Sequence, residues 1–199
     1  MVRYLRHAPQ MWRSEINATV VELIDPKPGE LVVDLGAGMG AGASLGAHQG
    51  ATVLAIEPTP FLRRILWSRS RLGRSTGSVV VLDGGAEHLP IADRSVDALW
   101  SVNTMHHWVK PDAAAAEIAR VLRPSGRLLL VDEDFADPTH PDYDTFGAKM
   151  SESEGHSHGF SMVDVQEMGE RFDSAGIQDT HASKQRLGAR PSLVVRTLV

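Results

Sequence analysis

Short aliphatic runs alternate along this chain with longer amphipathic stretches. Leu31-Val32-Val33-Asp34-Leu35 reads as a buried strand, introduced by the turn Pro26-Lys27-Pro28-Gly29. A glycine-rich turn follows, then a helix of small residues reaching about Gly50. Thr52 to Ile56 is a second strand, after which Thr59 can cap a helix with Phe61, Leu62, Ile65 and Leu66 on one face. Val79 to Leu82 and Val96 to Trp100 are the third and fourth strands. The alanine-rich stretch from Asp112 to Leu122 is a helix stopped by Pro124 and Gly126, and Leu128 to Val131 is the fifth strand. Continuous apolar runs separated by helices predict an α/β domain whose parallel sheet is covered on both faces.

The C-terminal part changes character. Ser161 opens a helix through Val165, Met168 and Phe172 that ends near Gly176. Two segments remain, Ile177 to His181 and Leu193 to Leu198, which a polar loop separates and which can pair antiparallel at the sheet edge. Residues 135–160 form a Pro-, His- and Asp-rich insert without periodicity, expected to act as a lid over a ligand crevice. Residues 1–28 are an N-terminal extension, in which Tyr4, His7 and Trp12 could pack across the sheet or the cofactor mouth. The whole of 1–199 is expected to be one domain.

Composition narrows the function classes. A net charge of -5 gives no general attraction to nucleic acid, so a small-molecule partner is expected. The sequence has no cysteine, which excludes disulfides, thiolate metal sites and cysteine nucleophiles, and fits a reducing cytoplasm. No apolar run approaches the ~20 residues of a membrane span, and Met1 to His7 is not followed by the apolar segment of a signal peptide. A cytoplasmic protein without a membrane partner is the expectation.

The sharpest chemical signal is Val33-Asp34-Leu35-Gly36-Ala37-Gly38-Met39-Gly40. Glycines at alternate positions after a strand let the backbone turn tightly and approach a ligand without a Cβ in the way. The helix that follows points its first amides at the same place. Glu57 ends the second strand, where a carboxylate can accept from both hydroxyls of a ribose. Gly36-x-Gly38-x-x-Ala41 also satisfies a dinucleotide fingerprint, so an NAD(P)-dependent oxidoreductase shares this signal.

Four blocks, in order, separate the alternatives: Val33 to Gly40; Ala55-Ile56-Glu57-Pro58; Ala86-Glu87-His88-Leu89-Pro90-Ile91 running into Ser95-Val96-Asp97-Ala98-Leu99; and Glu117 to Leu128. With them the chain resembles the class I S-adenosylmethionine (SAM)-dependent methyltransferases, in particular the small-molecule group akin to ubiquinone-biosynthesis C-methylases. The resemblance spans about Leu31 to Asp132. It implies a Rossmann-like, doubly wound sheet of seven strands in the order 3-2-1-4-5-7-6 with strand 7 antiparallel. It implies SAM as cofactor and S-adenosylhomocysteine (SAH) as product. Asp34 and the turn Gly36, Ala37, Gly38 and Gly40 would hold the methionine part, Glu57 the ribose, and Pro58, Ala86 and Glu87 the adenine, while Asn103 would sit near the sulfonium. Two positions depart from the family pattern. Gly85 stands where an aspartate usually accepts from the adenine amino group, the nearest carboxylate being Asp83, and the usual Pro-Gly-Gly turn is Pro124-Ser125-Gly126.

For the chemistry itself, His106 and His107 are the candidates for a general base, because they follow the fourth strand at the carboxyl end of the sheet. Trp108 is expected to wall the pocket. His140, His156 and His158, with Asp142 and Asp144, form a second group read as a polar lid rather than a metal site, since no third ligand has a diagnostic spacing. Arg63, Arg64, Arg69, Arg71 and Arg74 read as a solvated helix face, with an anionic acceptor or acidic partner as the sharper reading. A non-catalytic SAM-binding module is the third alternative, supported by Gly85. A Tyr-x-x-x-Lys pair that would favour a dehydrogenase is absent from the sequence.

Overall fold

A computed structural model describes residues 15–73, 75–147 and 164–197. Seven strands form one sheet in the order β3-β2-β1-β4-β5-β7-β6. They are β1 (Leu31–Leu35), β2 (Thr52–Ile56), β3 (Ser78–Leu82), β4 (Val96–Val102), β5 (Leu122–Glu133), β6 (Thr180–Leu187) and β7 (Arg190–Thr197). The first five are parallel, and β7 runs antiparallel to both β5 and β6. The antiparallel pair is the feature a dehydrogenase reading would not have supplied.

Among the described residues, five α-helices flank the sheet: α1 (Glu15–Ile24), α2 (Ala41–His48), α3 (Pro60–Leu72), α4 (Pro111–Val121) and α5 (Val165–Ser174). Ile16, Val20, Val21 and Ile24 bury one stripe of α1 at helical spacing. Together with Ala43 and Ala47 of α2 and Leu66 of α3, they pack on Val32, Val53 and Trp100. On the opposite face, Ala114, Ile118 and Val121 of α4 and Val165, Met168 and Phe172 of α5 pack on Val33, Leu99 and Leu130. Between β1 and β4 the strand order reverses, and crevices at such a switch point, beyond the carboxyl ends of the strands, are where sheets of this kind bind ligands.

Three expectations change in detail. The segment 182–192, expected as a polar loop, is mostly strand, because β6 is an edge whose residues alternate between exposed and half-buried and so need not be apolar. The buried stripe of α3 is Leu62 and Leu66, with Phe61 exposed; Thr59 precedes the helix but makes no side-chain cap, and Pro60 opens it. The last helix is capped by Asp164, whose carboxylate accepts from the amides of Gln166 and Glu167. Ser161 lies outside the described residues, as do Tyr4, His7, Trp12, Arg74, His156 and His158.

The third and fourth sequence blocks interlock. The Arg120 guanidinium donates to the carbonyls of Leu89 and Ile91, at 3.1 and 2.8 Å, and pairs with Glu117 and Asp93. Glu117 in turn accepts the Leu89 amide at 2.8 Å. Asp97 accepts the Leu31 amide at 2.8 Å and pairs with Arg123, tying the starts of β1, β4 and β5 together.

Candidate active site

The turn after β1 brings Gly36, Gly38 and Gly40 to φ of 71, 56 and 88°, a region closed to most L side chains. Space is as limiting as conformation at two of them. A Cβ on Gly36 would lie 2.2 Å from Thr104 Cγ2, and one on Gly40 would lie 2.2 Å from Leu66 Cδ1. The amides of Gly36 and Ala37 both donate to the Ile56 carbonyl, at 2.9 Å each, which folds the turn back over the end of β2.

Glu57 completes that fold. It is 5% exposed, and its carboxylate accepts the Gly38 amide at 2.9 Å and the Thr59 amide at 2.8 Å, one on each oxygen. Each oxygen keeps a further lone pair for a ligand hydroxyl. Glu57, expected at the ribose, holds the glycine turn in this structure. Pro58 beside it is exposed.

Asp34, also 5% exposed, faces the start of α2, and its Oδ2 has no hydrogen-bond partner among the described residues. Burial pushes its carboxyl up to about 7; the Ala43 amide and the nearby Trp100 indole N–H oppose that rise, and the charge of Glu57 adds to it. A buried acceptor beside a Cβ-free bend, with a second carboxylate at the tip of the next strand, fits a cofactor that carries an ammonium and a ribose.

Of the residues expected at the adenine, Ala86 is buried, and Glu87 accepts the amides of Val109 and Lys110 at 2.8 and 3.3 Å. Asp83 pairs with Arg63, whose guanidinium also donates to the carbonyls of Glu57 and Pro58, at 2.7 and 3.0 Å. Arg63 is therefore a strap across the crevice wall and not part of a solvated face. Arg71 lies over the Trp67 ring at 4.1 Å, while Arg64 is exposed. Around Gly85 there is room: a Cβ there would meet only Glu87 Oε2, at 3.6 Å.

Past β4, Asp132 organises the candidate bases. Buried at the end of β5, it accepts the amides of Thr104, Met105 and His106 at 2.9, 3.2 and 3.0 Å, and so holds the 3-10 turn Met105–His107. The same carboxylate stands 2.7 Å from His106 Nδ1. That contact places the ring proton on Nδ1 and makes Nε2 the basic nitrogen. His107 is more exposed; burial of part of its ring holds it below the ordinary histidine value, His106 adding to that effect and Asp132 opposing it. Trp108 is buried in the core cluster beneath this turn.

Asn103 occupies the left-handed corner at the end of β4, with φ of 57°. Its side chain donates to Glu133 Oε2 at 2.8 Å and accepts the Glu133 amide at 2.8 Å. Glu133 is further held by Arg190 and by His140, whose Nε2 lies 3.1 Å from Oε1. Since His140 Nδ1 accepts the Asp142 amide at 3.0 Å, its Nε2 carries the proton and donates to Glu133. His140 thus belongs to a buried network at the sheet, not to a polar lid. Asp132, Glu133 and Arg190 were not singled out from sequence. Their one visible signal was position, at the strand ends that face the crevice.

Comparisons with known proteins agree with this fold. Residues 33–130 match the family described as Methyltransferase domain. An uncharacterized methyltransferase of Mycobacterium tuberculosis is 40% identical over 111 residues, covering 56% of this chain and 43% of that protein. A demethylmenaquinone methyltransferase of Thermobifida fusca is 35% identical over 119 residues, covering 60% and 48%. Each match spans less than half of the relative's length. Among solved structures, a SAM-dependent methyltransferase from Aquifex aeolicus shares the fold with a TM-score of 0.64 at 20% identity, over 92% of this chain and 89% of that one. Residues 33–130, just under half of the chain, therefore resemble a methyltransferase domain, and the fold is the one seen in the A. aeolicus SAM-dependent methyltransferase. Its sequence relatives thus include a demethylmenaquinone methyltransferase, matched over part of its length.

Proposed function

We propose that this chain transfers the methyl group of SAM to a small-molecule acceptor. The observation that carries the proposal is the pairing of Asp34 and Glu57, buried carboxylates at the ends of adjacent strands, across a turn that Glu57 itself holds through the Gly38 amide. SAM supplies an electrophilic methyl group on a sulfonium. The chain's own task is to position: Asp34 meets the ammonium, Glu57 the ribose hydroxyls, and Ala86 and Glu87 line the adenine edge beside Pro58. Asn103, fixed by Glu133, borders the methyl group from the β4 side. Holding nucleophile, methyl carbon and sulfur in line accounts for most of the acceleration such a reaction needs.

His106 is the group we assign as general base for an acceptor that must lose a proton. Asp132 fixes its ring through Nδ1, and Nε2 is the nitrogen we assign to take that proton. A small, uncharged or cationic acceptor suits the net charge of -5 better than nucleic acid. A cytoplasmic setting suits the cysteine-free sequence, and no helix among the described residues is long and apolar enough to cross a membrane.

Calorimetry with SAM, SAH and NADH tests the cofactor; binding of NADH in preference to SAH would overturn the proposal. Incubating the protein with radiolabelled SAM and fractionated cell extract tests the transfer. His106→Gln should bind SAH as the wild type does and lower turnover ~10²–10⁴-fold on an oxygen or nitrogen acceptor. A chain that binds SAH tightly and labels nothing would favour a non-catalytic SAM-binding module.

A further inference from the structure

β4 is buried along nearly its whole length, and five of its seven residues are small or aliphatic. Trp100 interrupts that composition. It is 0% exposed and stands in register with Asp34 of the neighbouring parallel strand, so both side chains leave the sheet on the same face, toward α2. α2 has a glycine at 42 and another at 46, one turn apart and therefore on one side of the helix. Two glycines weaken so short a helix, and the contacts show what stands where their side chains would be. A Cβ on Gly46 would lie 2.9 Å from Trp100 Cη2. One on Gly42 would lie 3.0 Å from Trp100 Nε1 and 3.0 Å from Asp34 Oδ2. The indole lies along a groove made by missing side chains, with its N–H at the Asp34 end.

Trp100 Nε1 and Asp34 Oδ2 are buried, and neither of these atoms has a partner elsewhere among the described residues. One can only donate and the other, once ionised, can only accept. The remaining charges near Asp34 do not supply this complement. β2 brings Glu57, of the same sign; α2 carries only His48, at its far end; and the acidic groups of α1, Glu15 and Glu22, are exposed.

We propose that Trp100 is a positioning residue for Asp34: the indole N–H, set in the two-glycine groove of α2, favours and orients the charged carboxylate that receives the cofactor's ammonium. Trp100 acts through Asp34 and does not touch the cofactor. The assignment rests on the proposed role of Asp34 in SAM binding. It predicts that proton loss from Asp34 and cofactor binding are coupled, and that the indole sets the pH at which the coupling appears.

The test is SAH titration by calorimetry between pH 5.5 and 8.5 on wild type, Trp100→Phe and Asp34→Asn. Wild-type affinity should rise with pH to a plateau. In Trp100→Phe the midpoint should move upward by at least ~0.5 pH unit, because a donor to the charged form has been removed, while the plateau affinity stays within ~3-fold. Asp34→Asn should lose the pH dependence. An unmoved midpoint in a Trp100→Phe protein with native circular dichroism overturns the positioning role and leaves the cofactor reading standing. Failure of the wild type to bind SAH at any pH overturns both. A measurement on the intact chain covers a variant that does not fold. One of the four indole N–H resonances should move with pH in the wild type and stand still in Asp34→Asn. A spectrum with no moving indole resonance overturns the role.

Discussion

Glu57 Oε2 accepts the Gly38 amide at 2.9 Å, so the carboxylate at the tip of β2 holds the turn that leaves β1. The residue that would grip the ribose also shapes the bend beside it. Glu57→Ala should therefore weaken SAH binding by ~2–4 kcal/mol, the worth of one or two charge-assisted hydrogen bonds. Isothermal calorimetry reads this directly, and an unchanged affinity would remove Glu57 from the site.

Gly36 is closed to any side chain for two independent reasons, its φ of 71° and the Thr104 methyl 2.2 Å from where a Cβ would be. Thr104 cannot easily turn away, since its hydroxyl is bonded to Ser101, which donates to the Leu35 carbonyl at 2.8 Å. Gly36→Ala should cost about 1–3 kcal/mol of stability in urea unfolding. It should also lower SAH affinity. A neutral effect on both would mean that the turn is looser than its contacts indicate.

At Gly85 the situation is reversed. Its φ is not in the left-handed region, and the nearest atom to a Cβ there is Glu87 Oε2, at 3.6 Å. A Cβ fits there, and an aspartate would supply the acceptor that the family resemblance expects for the adenine amino group. Gly85→Asp is expected to tighten SAH binding by ~1 kcal/mol, less whatever repulsion Glu87 contributes. Weaker binding would show that adenine is read elsewhere.

The raised pKa of Asp34 has a sign that can be worked out for the protein without cofactor. An aspartate titrates near ~4 when unfolded, and the folded chain holds its proton up to about 7. Between those values the native state binds more protons than the unfolded one, so stability falls as pH rises and the loss is complete above the folded value. Asp34→Asn should flatten this part of a urea-midpoint profile. Glu30 and Glu117 act in the opposite sense on the acid side. Both sit below the ordinary glutamate value: Glu117 through its hydrogen bond to Arg120, and Glu30 because the upward push of burial, its largest single influence, is outweighed by Arg127 and the Lys27 amide and charge together. Their contribution is present above ~4.3 and disappears as pH drops through the folded values.

How much of this was legible follows from where each signal lives. β1, β2 and β5 are buried on both faces and announce themselves as aliphatic runs. β6 could not, because an edge strand with one half-buried face is free to read Thr-His-Ala-Ser-Lys-Gln-Arg-Leu. In α3 the presence of a helix was plain, but which of the adjacent apolar pairs, Phe61 and Ile65 or Leu62 and Leu66, meets the sheet depends on a rotation that only packing decides. Asp34, Glu57 and the glycines were visible because their chemistry is local to two strand ends. Asp132 and Glu133 were not. Asp132 acts on a turn 26 to 28 residues before it, and Glu133 meets Arg190 57 residues after it. Nothing within such a distance marks either carboxylate as more than the polar end of a strand.

The left-handed corner at Asn103 is clamped at both ends of its amide by Glu133, and Glu133 is clamped by Arg190 and His140. Substitutions at these four positions should not behave independently, since each residue's geometry is set by the others. On the proposed function, a new acceptor preference evolving through the β7 side would reach the methyl group by way of that corner. With the methyl group beside Asn103 as proposed, changes at Arg190 should alter selectivity and turnover together, through Glu133 and that corner.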